Sequence, residues 1–238
     1  MKVAISFIGT NKYLDFLPQY YENTKKYFLP NSEKVFLVFT DGEGDFTDDV
    51  KVFNQEHLEW PYITLKRFEI INKARSIIED CDWFVFIDAD ALPVTTITEE
   101  EFFVDKPLFG VHHPCHFLKM APHTQAPGAY EQNFKSEAYV DTSKELPPVY
   151  WQGCFWGGKV PNVCAMIDEL EARVNRDLEN NIVALWHDES QINRYFLERI
   201  TDVHTFGSEY AFPEVFKDSC TFEPKIVHLA KDNSEYQQ

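Results

Sequence analysis

No stretch of this 238-residue chain is apolar for long enough to cross a membrane, no two cysteines stand at C-x-x-C spacing, and cations are outnumbered by anions, 22 to 39. Each shortage removes a class of protein. The first argues against a transmembrane segment. Cys81, Cys115, Cys154, Cys164 and Cys220 form an odd, scattered set, which argues against a disulfide framework or a zinc site and for a reducing, cytoplasmic setting. A formal net charge of −17 makes nucleic acid and anionic membrane surfaces poor partners, because both would be repelled over much of the surface. Internal repeats and low-complexity tracts are also missing. The N-terminal run Met1 to Ile8 is too short for a signal sequence and reads as a first strand stopped by Gly9. A soluble protein is expected.

What is present is apolar bulk: 44% hydrophobic residues, with 21 Phe and 11 Tyr, enough for one substantial core and one domain. After the first strand, residues 13 to 29 carry apolar side chains at mixed three-and-four spacing, which predicts a helix ended by Pro30-Asn31. Lys34 to Gly42 reads as a second buried strand, followed by an acidic solvated loop from Glu43 to Asp49. Phe68 to Ile78 reads as helical. The alternation of strand and helix predicts an α/β protein with a parallel or mixed sheet layered by helices. From Pro114 to Pro148 periodicity fades while Pro, Gly, His and Ser accumulate, as in a lid or binding loop. The aromatic, glycine-rich run Tyr150 to Gly158 and a helix from Asn162 to Asn175 follow.

Two places carry chemistry. Trp83-Phe84-Val85-Phe86-Ile87 leads straight into Asp88-Ala89-Asp90. Alternation along a strand would send both carboxylates to one side, where a hard divalent cation meets oxygen ligands, and ligands of α/β sheets gather at the carboxyl ends of strands. The second place is Trp186-His187-Asp188-Glu189-Ser190-Gln191, which precedes an apolar stripe at helical spacing. Asp-x-x-Gln suits a capping box with Asp188 as N-cap. Glu189 would then stand in the first turn, where the helix dipole favours its anion at neutral pH, fit to act as a nucleophile or to steady a developing cation. Taken singly, each feature has a plain alternative: loop carboxylates, a packed histidine at His187 or at His112 and His113, a core tryptophan, solvated charges at Lys73 and Arg75.

The chain resembles glycosyltransferase family 6, the retaining α1,3-galactosyl- and N-acetylgalactosaminyltransferases that include the ABO blood-group enzymes, in a short form without a membrane anchor. The resemblance is carried by Lys12 to Leu17, Val38 to Asp41, Asp82 to Asp90, Pro107 to Pro114, Tyr130-Glu131, Ser136 to Tyr139, Tyr150 to Gly158 and Trp186 to Ser190. It implies a GT-A fold in a single domain, residues 1–110 forming a nucleotide-binding half and 111–238 an acceptor and donor-sugar half. It implies galactose or N-acetylgalactosamine transfer from a UDP-sugar in α1,3 linkage to a galactoside. Asp88 and Asp90 would hold Mn²⁺, with Mg²⁺ as the alternative, against the diphosphate. Bacterial relatives often carry Asn-x-Asn and work without metal, whereas this chain keeps both aspartates.

By the same resemblance Tyr13 lies beside the uridine, Lys73 or Arg75 stands for a donor-binding arginine, and His187 and Asp188 hold the donor hexose. Glu189 is the nucleophile or the stabiliser of an oxocarbenium ion, both routes being open. His113 and Trp186 would shape the acceptor site, and Gln152, Gly153 and Cys154 the donor's C2 corner. Cys154, larger than Gly or Ala, would crowd an acetamido group and so favour galactose. Lys231 would replace the basic C-terminal clamp, and Pro213-Glu214 stand where an acceptor-binding aspartate is found. Two readings of other classes remain beside this one. A haloacid dehalogenase-type phosphatase shares Asp-x-Asp, though Leu92 fits it poorly, and a non-catalytic metal-dependent carbohydrate-binding protein would use the same residues only to grip sugar.

Overall fold

The computed structural model describes residues 1–44, 46–115, 129–143, 147 and 149–232. Its ten strands are β1 (Lys2–Ile8), β2 (Glu33–Thr40), β3 (Val50–Asn54), β4 (Trp83–Ile87), β5 (Ala91–Pro93), β6 (Leu108–His112), β7 (Trp151–Lys159), β8 (Val203–Phe206), β9 (Phe212–Pro213) and β10 (Ile226–His228). The α-helices among the described residues are α1 (Leu17–Tyr27), α2 (Tyr62–Leu65), α3 (Arg67–Asn72), α4 (Arg75–Glu79), α5 (Glu99–Phe102), α6 (Val160–Glu179) and α7 (His187–Glu198). Seven strands form the central sheet in the order β3-β2-β1-β4-β7-β6-β8, and β5-β10-β9 form a small second sheet. Only β7 runs against the rest of the large sheet, so it is mixed and mostly parallel, as expected of an α/β single domain. No helix among the described residues is long and apolar enough to cross a membrane.

Burial explains why β4 has no polar residue. Phe84 and Phe86 face one core layer with Trp156 and the apolar side of α6, while Val85 and Ile87 face the other, with Phe109, Phe155 and Phe206. A strand covered on both faces reads as a continuous apolar run. The aromatic run from Tyr150 proves to be chiefly sheet: Trp151 and Trp156 are fully buried. Two of its glycines serve strand approach. A Cβ on Gly157 would sit 2.1 Å from the Phe84 carbonyl oxygen, and one on Gly158 would sit 2.2 Å from that of Pro107. Gly153 differs, since its added Cβ would meet Glu189.

Several local expectations shift. The first helix ends at Tyr27, because Phe28 turns extended and bridges to Ile97, and the preceding residues 11–16 wind as a 3₁₀ turn. The helix expected over Phe68 to Ile78 is two short helices, α3 and α4, broken at Lys73-Ala74. Of the loop expected from Pro114 to Pro148, residues 116–128, 144–146 and 148 lie outside the described residues. Its remainder is anchored: Glu131 accepts hydrogen bonds from the backbone amides of Asn133 and Leu185, and buried Asp177 accepts from Ser136 Oγ and the Glu137 amide.

Because Gly157 has backbone on one side and Phe109 on the other, Gly157→Ala is expected to destabilise the fold by about 3 kcal/mol. Urea denaturation monitored by tryptophan fluorescence reads this directly. An unchanged midpoint would mean that β4 and β7 can separate without cost.

Candidate active site

Beyond Ile87 the chain leaves β4 in a turn, with the Asp88 amide donating to the Cys154 carbonyl at 3.0 Å and the Ala91 amide to the Asp88 carbonyl at 2.9 Å. The turn, rather than strand alternation, sets the two carboxylates. Asp88 emerges on the Phe86 side, and there it meets Arg67. This arginine, 7% exposed at the start of α3, lies over the Phe86 ring at 4.2 Å. Its Nη2 pairs with Asp88 Oδ1 at 3.2 Å, and its Nη1 lies 2.7 Å from both the Gly153 carbonyl oxygen and Asp188 Oδ2. One guanidinium thus ties β4, β7 and α7 together, which only its planar fork allows.

Asp90 stands beside Asp88 with other partners. Its carboxylate holds the Lys231 ammonium and stands 3.9 Å from His228 Nδ1, while its carbonyl accepts the Leu229 amide at 2.9 Å. Oxygen and nitrogen atoms of Asp88, Asp90 and His228 lie within 4.8 Å of one another. That donor set fits a divalent cation, and His228 Nε2 is a buried polar atom with no hydrogen-bond partner among the described residues. Lys231 also lies over the Tyr13 ring at 4.5 Å.

The second acidic motif lies at the start of α7. Glu189 is doubly held: Tyr150 Oη donates to Oε1 at 2.7 Å and the Gly153 amide to Oε2 at 2.8 Å. The partners of Gly153 reflect an irregularity, because the β6·β7 register shifts between Gly110 and Val111 and bulges the β7 residues beside the site. The capping box does not form. Trp186 is the N-cap, its amide donates to Ser190 Oγ at 2.9 Å, and Gln191 instead bonds Asp177. Asp188 is drawn off to Arg67, a stronger partner than a backbone amide. His187 sits at φ 53°, a left-handed conformation that costs a non-glycine residue about 1–3 kcal/mol, and its ring meets the edge of Trp60 at 4.8 Å.

Burial sets the electrostatics. It raises Asp188 to about 7 despite Arg67, and Glu189 to about 7 despite its two hydrogen bonds. The expectation that a helix start keeps Glu189 fully ionised is therefore corrected: desolvation exceeds the dipole here. Asp88 is raised by burial, while burial of Asp90 is outweighed by His228 and Lys231, which hold it below its ordinary value. His187 is lowered by burial and the nearby Arg67. Asp88 and Asp90 are thus each paired with a fixed cation, whereas Asp188 and Glu189 are partly protonated at neutral pH.

Asp88 and Asp90 border a cavity of about 260 Å³. Tyr13, Arg67, Asp88, Asp90, Gln152 and Lys231 line it, with Ile8, Leu58 and Ile63 as an apolar wall. Glu189 and Asp188 join through Gly153 and Arg67. Lys73 is not brought here, since it bonds Asn54 and Gln55, and Arg75 pairs with Asp168 on α6. Arg67, which sequence reading missed, lines the cavity instead. Cys154 is 2% exposed and packs in the core with Ile87 and Ala89, so its thiol does not line the cavity and the crowding expected of it loses its basis. His113, 7% exposed, packs its ring against Tyr150, and Trp186 packs beside Tyr130 and Tyr150. Both thus stand behind the phenol that holds Glu189.

A sequence profile described as Glycosyltransferase family 6 matches residues 1–237. The chain is similar to the O-antigen biosynthesis glycosyltransferase WbnI of Escherichia coli, 29% identical over 239 residues covering 99% of this chain and 97% of the relative. It is 24% identical to histo-blood group ABO system transferase 2 of Rattus norvegicus, over 82% of this chain and 59% of that protein. With globoside alpha-1,3-N-acetylgalactosaminyltransferase 1 of Homo sapiens the figures are 23%, 83% and 57%. The chain spans nearly all of the bacterial relative and less than two thirds of these mammalian ones.

Removing Arg67 leaves Asp88 and Asp188 buried without their partner, so Arg67→Met is expected to cost about 3–5 kcal/mol while Lys73→Met changes stability little. Denaturation of both variants checks this. Glu189 binds its proton more tightly folded than unfolded, so its contribution is fully present below its unfolded value and is lost as pH rises to about 7. Glu189→Gln, which mimics the protonated form, is therefore expected to melt higher than the parent at pH 8 and nearly with it at pH 5. A melting difference independent of pH would contradict this.

Proposed function

The chain belongs to glycosyltransferase family 6, and on that premise we propose that it transfers galactose or N-acetylgalactosamine from a UDP-sugar to a galactoside, in α1,3 linkage and with retention of configuration. The observation that carries this reading is one cavity lined by Asp88, Asp90, Arg67 and Lys231, with Asp188 and Glu189 tied to it through Arg67 and Gly153. The two aspartates at the cavity wall would repel a diphosphate, and a divalent cation between them and it would reverse that. The α1,3 linkage and N-acetylgalactosamine are those in the name of the globoside relative, and galactose is the alternative that the family resemblance implies.

In this reading Asp88 and Asp90 hold Mn²⁺ or Mg²⁺, which offsets the charge gathering on the departing diphosphate. Residues 1–110 supply the nucleotide end, with Tyr13 beside the uracil and the Ile8, Leu58 and Ile63 wall excluding water. Lys231 contributes a second positive charge near the diphosphate. Residues 111–238 supply the sugar end, with Gln152 and Asp188 toward the hexose hydroxyls and His187 neutral beside them. Arg67 is a positioning residue: it keeps Asp88 and Asp188 apart and correctly turned.

Glu189 faces the anomeric carbon. The Tyr150 hydroxyl and the Gly153 amide take both its oxygens, so it neither swings away nor needs reorganisation when positive charge develops on the sugar. Its anion either forms a glycosyl ester or stabilises an oxocarbenium ion, and the acceptor hydroxyl enters on the face the diphosphate leaves. His113 and Trp186 shape the acceptor side from behind Tyr150.

The test is UDP release from a panel of UDP-sugars with lactose or a fucosylated galactoside as acceptor, in Mn²⁺ and again in EDTA. Release with UDP-Gal or UDP-GalNAc that stops in EDTA is expected, and Asp90→Asn is expected to lose metal-dependent donor binding. Glu189→Gln should keep UDP binding and lose transfer by at least about 100-fold. Full transfer by Glu189→Gln would overturn the role given to it, and no release from any UDP-sugar would favour a carbohydrate-binding protein.

A further inference from the structure

The cation site is completed by a strand far away in sequence. β10 pairs antiparallel with β5, placing His228 opposite Ala91, and the Leu229 amide grips the Asp90 carbonyl. This backbone register sets the imidazole beside the carboxylates whatever the side chains do. A histidine packed there for structure would be expected to give its ring N–H to the adjacent carboxylate. Instead, Nδ1 stands 3.9 Å from Asp90 Oδ1, beyond hydrogen-bond reach, and Nε2 is buried without a partner among the described residues. A ring nitrogen and one oxygen from each aspartate nevertheless lie within 4.8 Å of one another, a span that a single ion can bridge with small rotations.

We propose that His228 is a third protein ligand of the metal, making the site two carboxylates and one imidazole and giving it a preference for Mn²⁺ or Co²⁺ over Mg²⁺. The inference rests on the reading of Asp88 and Asp90 as metal ligands. Its physical basis is ligand softness: Mg²⁺ is a hard ion that prefers oxygen and its own water, whereas first-row transition ions gain from an imidazole nitrogen. Selectivity would thus reside in the C-terminal strand rather than in the Asp-x-Asp motif.

The experiment is electron spin-echo envelope modulation of the full chain loaded with Mn²⁺ in the presence of UDP, together with calorimetric titration by Mn²⁺ and Mg²⁺. Modulation from a directly bound ¹⁴N is expected in the parent protein and absent in His228→Ala. The same substitution is expected to weaken Mn²⁺ at least about tenfold and Mg²⁺ by less than about threefold. Mn²⁺ bound without a coordinated nitrogen overturns the proposal and leaves the two aspartates as ligands. Failure to bind Mn²⁺ at all overturns it together with the metal reading. The spectrum of the parent protein decides even where His228→Ala does not fold.

Discussion

The double ion pair of Arg67 holds three parts of the chain in one place. Asp88 follows the central strand, Gly153 lies in the bulge of β7, and Asp188 opens α7, yet all three touch one guanidinium. In an interior of low polarity such pairs are worth keeping only when geometry is good on every side. Here Arg67 donates to Asp88 and to the Gly153 carbonyl and lies over Phe86, while its contact with Asp188 is an ion pair without hydrogen-bond alignment. Glu189 inherits its position from the arrangement, because the residue before it is clamped and Gly153, which donates to it, is clamped as well.

The site is also held at some cost. Two carboxylates with values near 7, a left-handed His187 and a pair of aspartates a few ångströms apart are unfavourable locally. They persist because the aromatic layers on either side of β4 are rigid enough to impose them. Of the two aspartates, burial disfavours the anion of Asp88, so a cation bound there would relieve part of that cost.

The buried strands and the acidic motifs are legible because they are local: a mainly apolar run announces β1 and β2, a fully apolar one β4, and the carboxylates that follow β4 stand out. β3, half exposed, gave no such contrast. Arg67 was not legible for another reason. It resembles any surface arginine at a helix start, and its partner Gly153 lies 86 residues away. Its flanking apolar residues, Phe68, Ile70 and Ile71, were the available hint. His228 offered a similar one, an imidazole among Ile226, Val227 and Leu229. The capping box at Asp188 was read correctly as a pattern and failed because a tertiary partner outbid a local one. Cys154 failed through the bulge of β7, which turns its thiol into the core.

The small sheet β5-β10-β9 has a bearing on the order in which the molecule comes into being. Asp90 and Lys231 are 141 residues apart, and His228 reaches the carboxylates only after β10 has docked on β5. During synthesis Asp90 therefore leaves the ribosome long before the Lys231 ammonium that neutralises it. Contacts of such long range are slow to close. An incomplete chain lacking residues 226–231 would carry the sheet and its acidic cluster but neither the imidazole nor the ammonium, so competence to hold a cation would mark a chain made and folded to that last strand.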